Sequence, residues 1–136
     1  MRVVFDTNIF ISAFVIPGSR AEEAYLRALK RDFSLYSSAA ILTETVQKLR
    51  EKFGWEEEKI TPLLRSIARV AVIIKTHPHL HLLADEPDNR ILECAMVGKV
   101  DLIVTGDKHL LSLKHFQNIP IITLSNLFEC LNPKDR

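Results

Sequence analysis

Val3-Val4-Phe5-Asp6-Thr7-Asn8-Ile9-Phe10-Ile11 opens the chain with two apolar runs parted by polar residues. The first run is short and rich in β-branched and aromatic side chains, which suits a strand buried on both faces of a parallel sheet. Asp6 ends it. Parallel α/β sheets bind ligands beyond the carboxyl ends of their strands, so a carboxylate there is a candidate for chemistry as well as for capping. The same order returns in Asp101-Leu102-Ile103-Val104-Thr105-Gly106-Asp107-Lys108, where Gly106 closes the apolar run and Asp107 opens the next segment. Asp6 and Asp107 are therefore expected at one edge of one sheet.

Strand signals also fall near residues 33–37, 71–75 and 119–123, beside those at 2–5 and 101–105, with helical periodicity between them. Ala21, Ala24, Tyr25, Ala28 and Leu29 lie on one helical face, as do Ile60, Leu63, Leu64, Ile67 and Ala71. Ser19 suits an N-cap after Pro17-Gly18, and Phe53-Gly54-Trp55 separates two helices that would form a hairpin between residues 39 and 70. Strands alternating with helices predict an α/β fold, a three-layer α/β/α sandwich whose central parallel sheet has about five strands. Residues 1–131 are read as a single domain and 132–136 as a frayed C-terminal tail.

At 136 residues the chain can bury roughly two-thirds of its unfolded surface without staples. Met1 to Asp6 holds no apolar stretch of signal-peptide length, and no apolar run approaches the ~18 residues of a membrane span, so a cytoplasmic protein is expected. Cys94 and Cys130 lie in apolar helical patterns without metal-ligand spacing and read as buried, reduced thiols. A net charge of +1 gives no bulk attraction for a polyanion. Local cations would have to hold one, from Lys48, Arg50 and Lys52 or from Lys108, Lys114 and His115, although solvated helix faces explain both clusters.

Each acidic residue has a plain reading beside a chemical one. Asp6 and Asp107 suit helix N-caps, but Asp6-Thr7-Asn8 supplies more polar groups than one cap requires. Asp88 lies in the first turn of a helix running from about Pro87 to Val97, in phase with Ile91 and Leu92, and so faces inward. An inward carboxylate needs a partner, either a metal ion or a backbone amide. Glu44 projects away from the stripe of Ile41, Leu42, Val46, Leu49 and Phe53, and by sequence alone reads as solvated. Asp101, at the other end of its strand, is a turn residue. His77-Pro78-His79-Leu80-His81 lacks the spacing and partners of a zinc site and reads as a surface loop. The chain has no Gly-rich phosphate loop, G-x-S-x-G elbow or H-E-x-x-H pair.

Taken together, the opening Val3 to Asn8 block, Ser37 to Leu49 with Glu44, Asp88-Asn89-Arg90-Ile91-Leu92-Glu93-Cys94-Ala95, and Asp101 to Lys108 resemble PIN-domain proteins of the group that serves as toxins in type II toxin-antitoxin pairs. The resemblance runs from Met1 to about Leu131. It implies that Asp6, Glu44, Asp88 and Asp107 are catalytic acids of a metal site, with Asn8 and Thr105 in support. Asp85 is the rival to Asp88 in that set. It also implies metal-dependent hydrolysis of single-stranded or structured RNA, leaving a 5′-phosphate and a 3′-hydroxyl, and as partners a small antitoxin and a second copy in a homodimer. Oxygen donors of this kind suit Mg²⁺ or Mn²⁺. Contacts to RNA phosphates would come from Lys108 and Arg90, the cations nearest the acids in sequence. The alternative is a PIN-like scaffold that binds RNA or protein without cutting. A Mg²⁺-dependent phosphatase of the haloacid dehalogenase type wants a second Asp where this chain has Asn8, and a response-regulator receiver wants adjacent acids after the first strand.

Overall fold

The computed structural model describes residues 1–132. The elements follow as β1 (Arg2–Phe5), α1 (Thr7–Val15), α2 (Arg20–Leu29), β2 (Ser34–Ser38), α3 (Ala39–Phe53), α4 (Glu57–Val70), β3 (Val72–Ile74), α5 (Glu86–Gly98), β4 (Leu102–Val104), α6 (Lys108–Leu113), β5 (His115–Phe116), β6 (Ile119–Ile122) and α7 (Leu124–Leu131). The tail expected to fray falls, from residue 133 onward, outside the described residues.

The apolar opening run becomes the middle of the sheet because it has no polar face to give to water. Val3, Val4 and Phe5 are wholly buried, and β1 pairs in parallel with β2 on one side and β4 on the other. The strand order is β3-β2-β1-β4-β6-β5. All pairings are parallel except β5 with β6. This sixth strand goes beyond the five expected. It is the short antiparallel arm of a hairpin whose turn residues, Gln117 and Asn118, both take positive φ, as tight hairpin turns require.

Helices cover the sheet, giving the α/β/α arrangement. Ser19 and Ser38 cap α2 and α3 by accepting from the amides of Glu22 and Ile41. Gly54, at φ 65°, ends α3 in the left-handed conformation that lets the chain turn into α4. Ile41, Val46 and Leu49 are buried as the stripe predicts, but Phe53 is exposed, because it occupies the helix end where Gly54 turns the chain. Cys94 is buried whereas Cys130 is exposed, a correction to the reading of both thiols as buried: Cys130 lies on the outer side of α7, whose inward residues are Leu127 and Phe128. Among the described residues no helix is long and apolar enough to cross a membrane.

The chain leaves β1 toward β2 and β3, then returns to the other side of β1 through β4. That reversal opens a crevice at the carboxyl ends of β1 and β4.

Candidate metal centre

Asp6 follows β1 directly, and its amide donates to Val104 O at 3.0 Å, carrying the β1–β4 pairing one residue past the strand. This places Asp6 beside Thr105. The buried Thr105 hydroxyl donates to Asp6 Oδ2 at 2.6 Å and accepts from the Asp107 amide at 2.9 Å, so one side chain fixes both strand-end acids. Asp6 also caps α1, its Oδ1 accepting from the Asn8 amide at 3.4 Å. The capping and chemical readings of Asp6 are thus compatible. Asp107 stands at the N-cap position of α6, but its side chain makes no capping bond. Its carboxylate is left to the crevice.

Asp88, in the first turn of α5, is 6% exposed, and its Oδ2 is buried with no hydrogen-bond partner. The amide that the plain reading required is missing. Asp85 occupies the N-cap of α5, is exposed and likewise makes no side-chain cap. Glu44 comes in half-buried from α3, with its Oε1 3.6 Å from Lys48 Nζ, which lies 3.4 Å from Asn8 Oδ1. Asp6, Asn8, Glu44, Asp88 and Asp107 line one cavity of about 280 Å³, together with Thr7, Lys48, Asp85 and Pro87. A larger groove of about 610 Å³ beside α3, α4 and β3 is lined chiefly by Leu42, Val46, Leu64 and Ile73 and contains none of the expected site acids. The acids expected from the sequence gather in the smaller cavity.

Electrostatics follow from the crowding. Burial raises the Asp6 carboxyl above its ordinary value, and Asp107 adds to this, while Thr105, the Asn8 amide and Lys48 oppose it. Burial pushes Asp88 up as well, to about 7, with Asp107, Asp85 and Asp6 adding repulsion. Asp88 is therefore still partly protonated near neutrality.

Among the described residues no group of three or more His, Cys, Asp or Glu side chains is gathered into a ready-made cation shell. That accords with carboxylates that repel one another across an open cavity. Their chemistry still fits a hard cation: the donors are oxygens, the charge is surplus, and Asp88 Oδ2 is buried and unpartnered.

Of the cations named from the sequence, Arg90 is turned away from the cavity and Lys48 lies in it. Arg90 is 16% exposed by its side chain and engaged by Glu93, Glu86 and the Leu80 carbonyl, which leaves it badly placed to meet RNA phosphate. Lys48 lies in the cavity instead. It belongs to the first of the two cationic clusters read from the sequence and stands one helical turn after Glu44. Lys108 is exposed at the start of α6.

A parallel sheet bearing acids at the carboxyl ends of adjacent central strands defines an α/β protein with an acidic crevice at its topological switch point. The chain belongs to the PIN-domain family: the PIN-domain sequence model matches residues 2–109. PIN domains are generally nucleases, and membership supports a function of that type here. An uncharacterized protein of Methanocaldococcus jannaschii is 34% identical over 119 residues, 84% of this chain and 76% of its own length. In fold the chain is similar to VapBC2 from Rickettsia felis, solved bound to a DNA fragment from its promoter (TM-score 0.63, 18% identity, 90% of this chain and 98% of that one). It is also similar to the PIN domain endonuclease Utp24 (TM-score 0.55, 23% identity, 90% and 84%) and to PAE2754 from Pyrobaculum aerophilum (TM-score 0.60, 15% identity, 96% and 88%).

Proposed function

We propose that this chain is a Mg²⁺- or Mn²⁺-dependent endoribonuclease, acting in the cytoplasm as the toxin of a toxin-antitoxin pair, with residues 1–131 as its single working unit. The observation that carries the reading is the buried, unpartnered Oδ2 of Asp88 in a cavity shared with Asp6, Glu44 and Asp107. Such an atom is costly to bury unless something positive meets it. In this reading Asp6, Asp88 and Asp107 hold the cation and Glu44 completes the acidic set, with Asn8 and Thr105 in support. When bound, the cation supplies an activated water and positive charge for the scissile phosphodiester.

The protein's own residues have separate tasks. Thr105 orients Asp6 through its short hydrogen bond and sets the Asp107 backbone. Asp88, pushed up to about 7, is partly protonated at neutral pH and would give up that proton in order to hold a cation. Lys48, in the cavity, and Lys108, exposed next to Asp107 in the chain, offer contacts to RNA phosphates that carboxylates cannot make. Hydrolysis breaks the bond between phosphorus and the 3′ oxygen, leaving a 3′-hydroxyl and a 5′-phosphate. A small antitoxin, to which the fold shared with VapBC2 points, and a second copy in a homodimer complete the proposal.

The test is incubation of the parent and Asp6→Asn with mixed-sequence single-stranded RNA in Mg²⁺, Mn²⁺ or EDTA. Cleavage is expected from the parent alone and only with metal. Cleavage that survives EDTA or Asp6→Asn would sink the reading, and RNA binding indifferent to both, without cleavage, would favour a scaffold.

A further inference from the structure

Asp85 and Asp88 differ from Asp6 in that no hydroxyl or backbone amide anchors their carboxylates: Asp85 makes no cap, Asp88 Oδ2 has no partner, and the one side-chain hydrogen bond of Asp88 is to another acid, Asp107. Their aim must come from the backbone that carries them. Residues 75–85, which lead into α5, form neither helix nor strand. Such a segment leaves the start of α5 loose unless something holds it.

A side-chain network supplies that hold. Asn89 takes both backbone groups of Leu83, Oδ1 accepting from its amide at 2.9 Å and Nδ2 donating to its carbonyl at 2.8 Å. This fixes the chain just before Asp85. One turn further along α5, Glu93 is wholly buried, and its Oε2 accepts from the amides of His79 and Leu80 at 2.7 and 2.8 Å. Arg90 closes the set. It donates to the Leu80 carbonyl at 2.9 Å and to Glu93 Oε2 at 3.0 Å, places Nε 2.8 Å from Glu93 Oε1, and reaches Glu86 at 3.3 Å. The Nε contact is one of charges rather than an aligned hydrogen bond, since neither atom finds a partner of good geometry.

A buried carboxylate tied to a loop is an expensive way to fill a core, and apolar residues of similar volume would often do as well for stability. What it provides is a defined backbone path. We infer that Glu93, Arg90 and Asn89 are positioning residues: they clamp residues 79–83 to α5 and so set where Asp85 and Asp88 stand in the acidic cavity. This rests on the metal-dependent reading above. It assigns work to residues that never touch the cation, and it gives Arg90 a role other than holding RNA.

The experiment uses Glu93→Gln and Asn89→Ala, which cut different tethers of one segment, with Leu127→Ala as a control that weakens the core at a residue that neither lines the cavity nor belongs to the network. At a temperature where circular dichroism shows all of them folded, Mn²⁺ affinity is measured by calorimetry and amide hydrogen exchange is followed without metal. Each clamp variant should speed exchange at the tethered amides of residues 79–83 and raise the Mn²⁺ dissociation constant roughly tenfold, the scale of lost outer-shell support. Leu127→Ala should lower the melting temperature and leave Mn²⁺ affinity alone. Arg90→Lys should recover part of the affinity lost in Arg90→Met. Clamp variants that melt earlier yet keep parental Mn²⁺ affinity would overturn the inference while sparing the nuclease reading. A parent that binds no Mn²⁺ would overturn both.

Discussion

Replacing Asp88 with Asn should stabilise the metal-free protein at pH 8 and not at pH 4. A carboxyl whose pKa moves from 3.8 to about 7 on folding costs the folded state about 4 kcal/mol once fully ionised, at roughly 1.4 kcal/mol per tenfold change in proton affinity. The cavity is open to water, which screens part of the repulsion, so an effect of about 2–4 kcal/mol is expected. The sign follows from proton counting. Below pH 3.8 both states are protonated and nothing is lost. Between that value and about 7 the unfolded chain releases its proton while the folded one keeps it, so stability falls as pH rises and the full cost is reached above about 7. Asn carries no such cost. Urea denaturation in EDTA at pH 4, 5, 6, 7 and 8, with the parent subtracted from Asp88→Asn, isolates this group from other titrating residues. Glu93 in particular moves the other way, since its backbone and Arg90 partners outweigh burial and hold it low, and the subtraction cancels it. Excess Mn²⁺ at pH 8 should raise the parent's stability and leave Asp88→Asn nearly unmoved. A difference between the two proteins that is equal at pH 4 and pH 8 would refute the argument from burial and crowding.

Thr105→Val removes the hydroxyl that donates to Asp6, and a loss of about 1–3 kcal/mol is expected in urea titrations, as for a hydrogen bond to a buried charged group. Cys94 is buried, with its thiol pushed up to about 12 by burial. Ellman's reagent at pH 8 should therefore titrate Cys130 alone in the native protein and both thiols in urea; two fast thiols in the native state would contradict the packing of α5. Leu49→Ala deletes a wholly buried side chain of α3 and should cost about 2–5 kcal/mol, read as a shift of the urea midpoint.

The strand-end acids were legible because β1 and β4 are apolar on both faces, so Asp6 and Asp107 interrupt a clear pattern. Asp88 was legible from its helical phase. Glu44 was not, for a physical reason: periodicity rewards residues that face the core, whereas the cavity lies at the rim of the sheet and is reached by a residue turned away from the stripe. Family resemblance supplied what amphipathicity could not. Arg90 misled because nearness in sequence to an acid does not show which acid a guanidinium will choose, and Glu93, one turn on, won it. β5 is too short for any period to show. Phe53 and Cys130 sit at or near helix ends, where a stripe read from sequence outruns the surface it packs on.

The pairing of Val3 with Leu102 sets a timetable. Synthesis proceeds from the N-terminus, so β1 can join β2 as soon as Ser38 has emerged, the register of Arg2 with Ser34 needing nothing later. Thr105 and Asp107 arrive long afterwards, and contacts between distant segments are in any case slow to form. Throughout that interval a growing chain has no completed acidic cavity. If the cavity cuts RNA, the chain is harmless to the message that encodes it until nearly all of the sheet has been made.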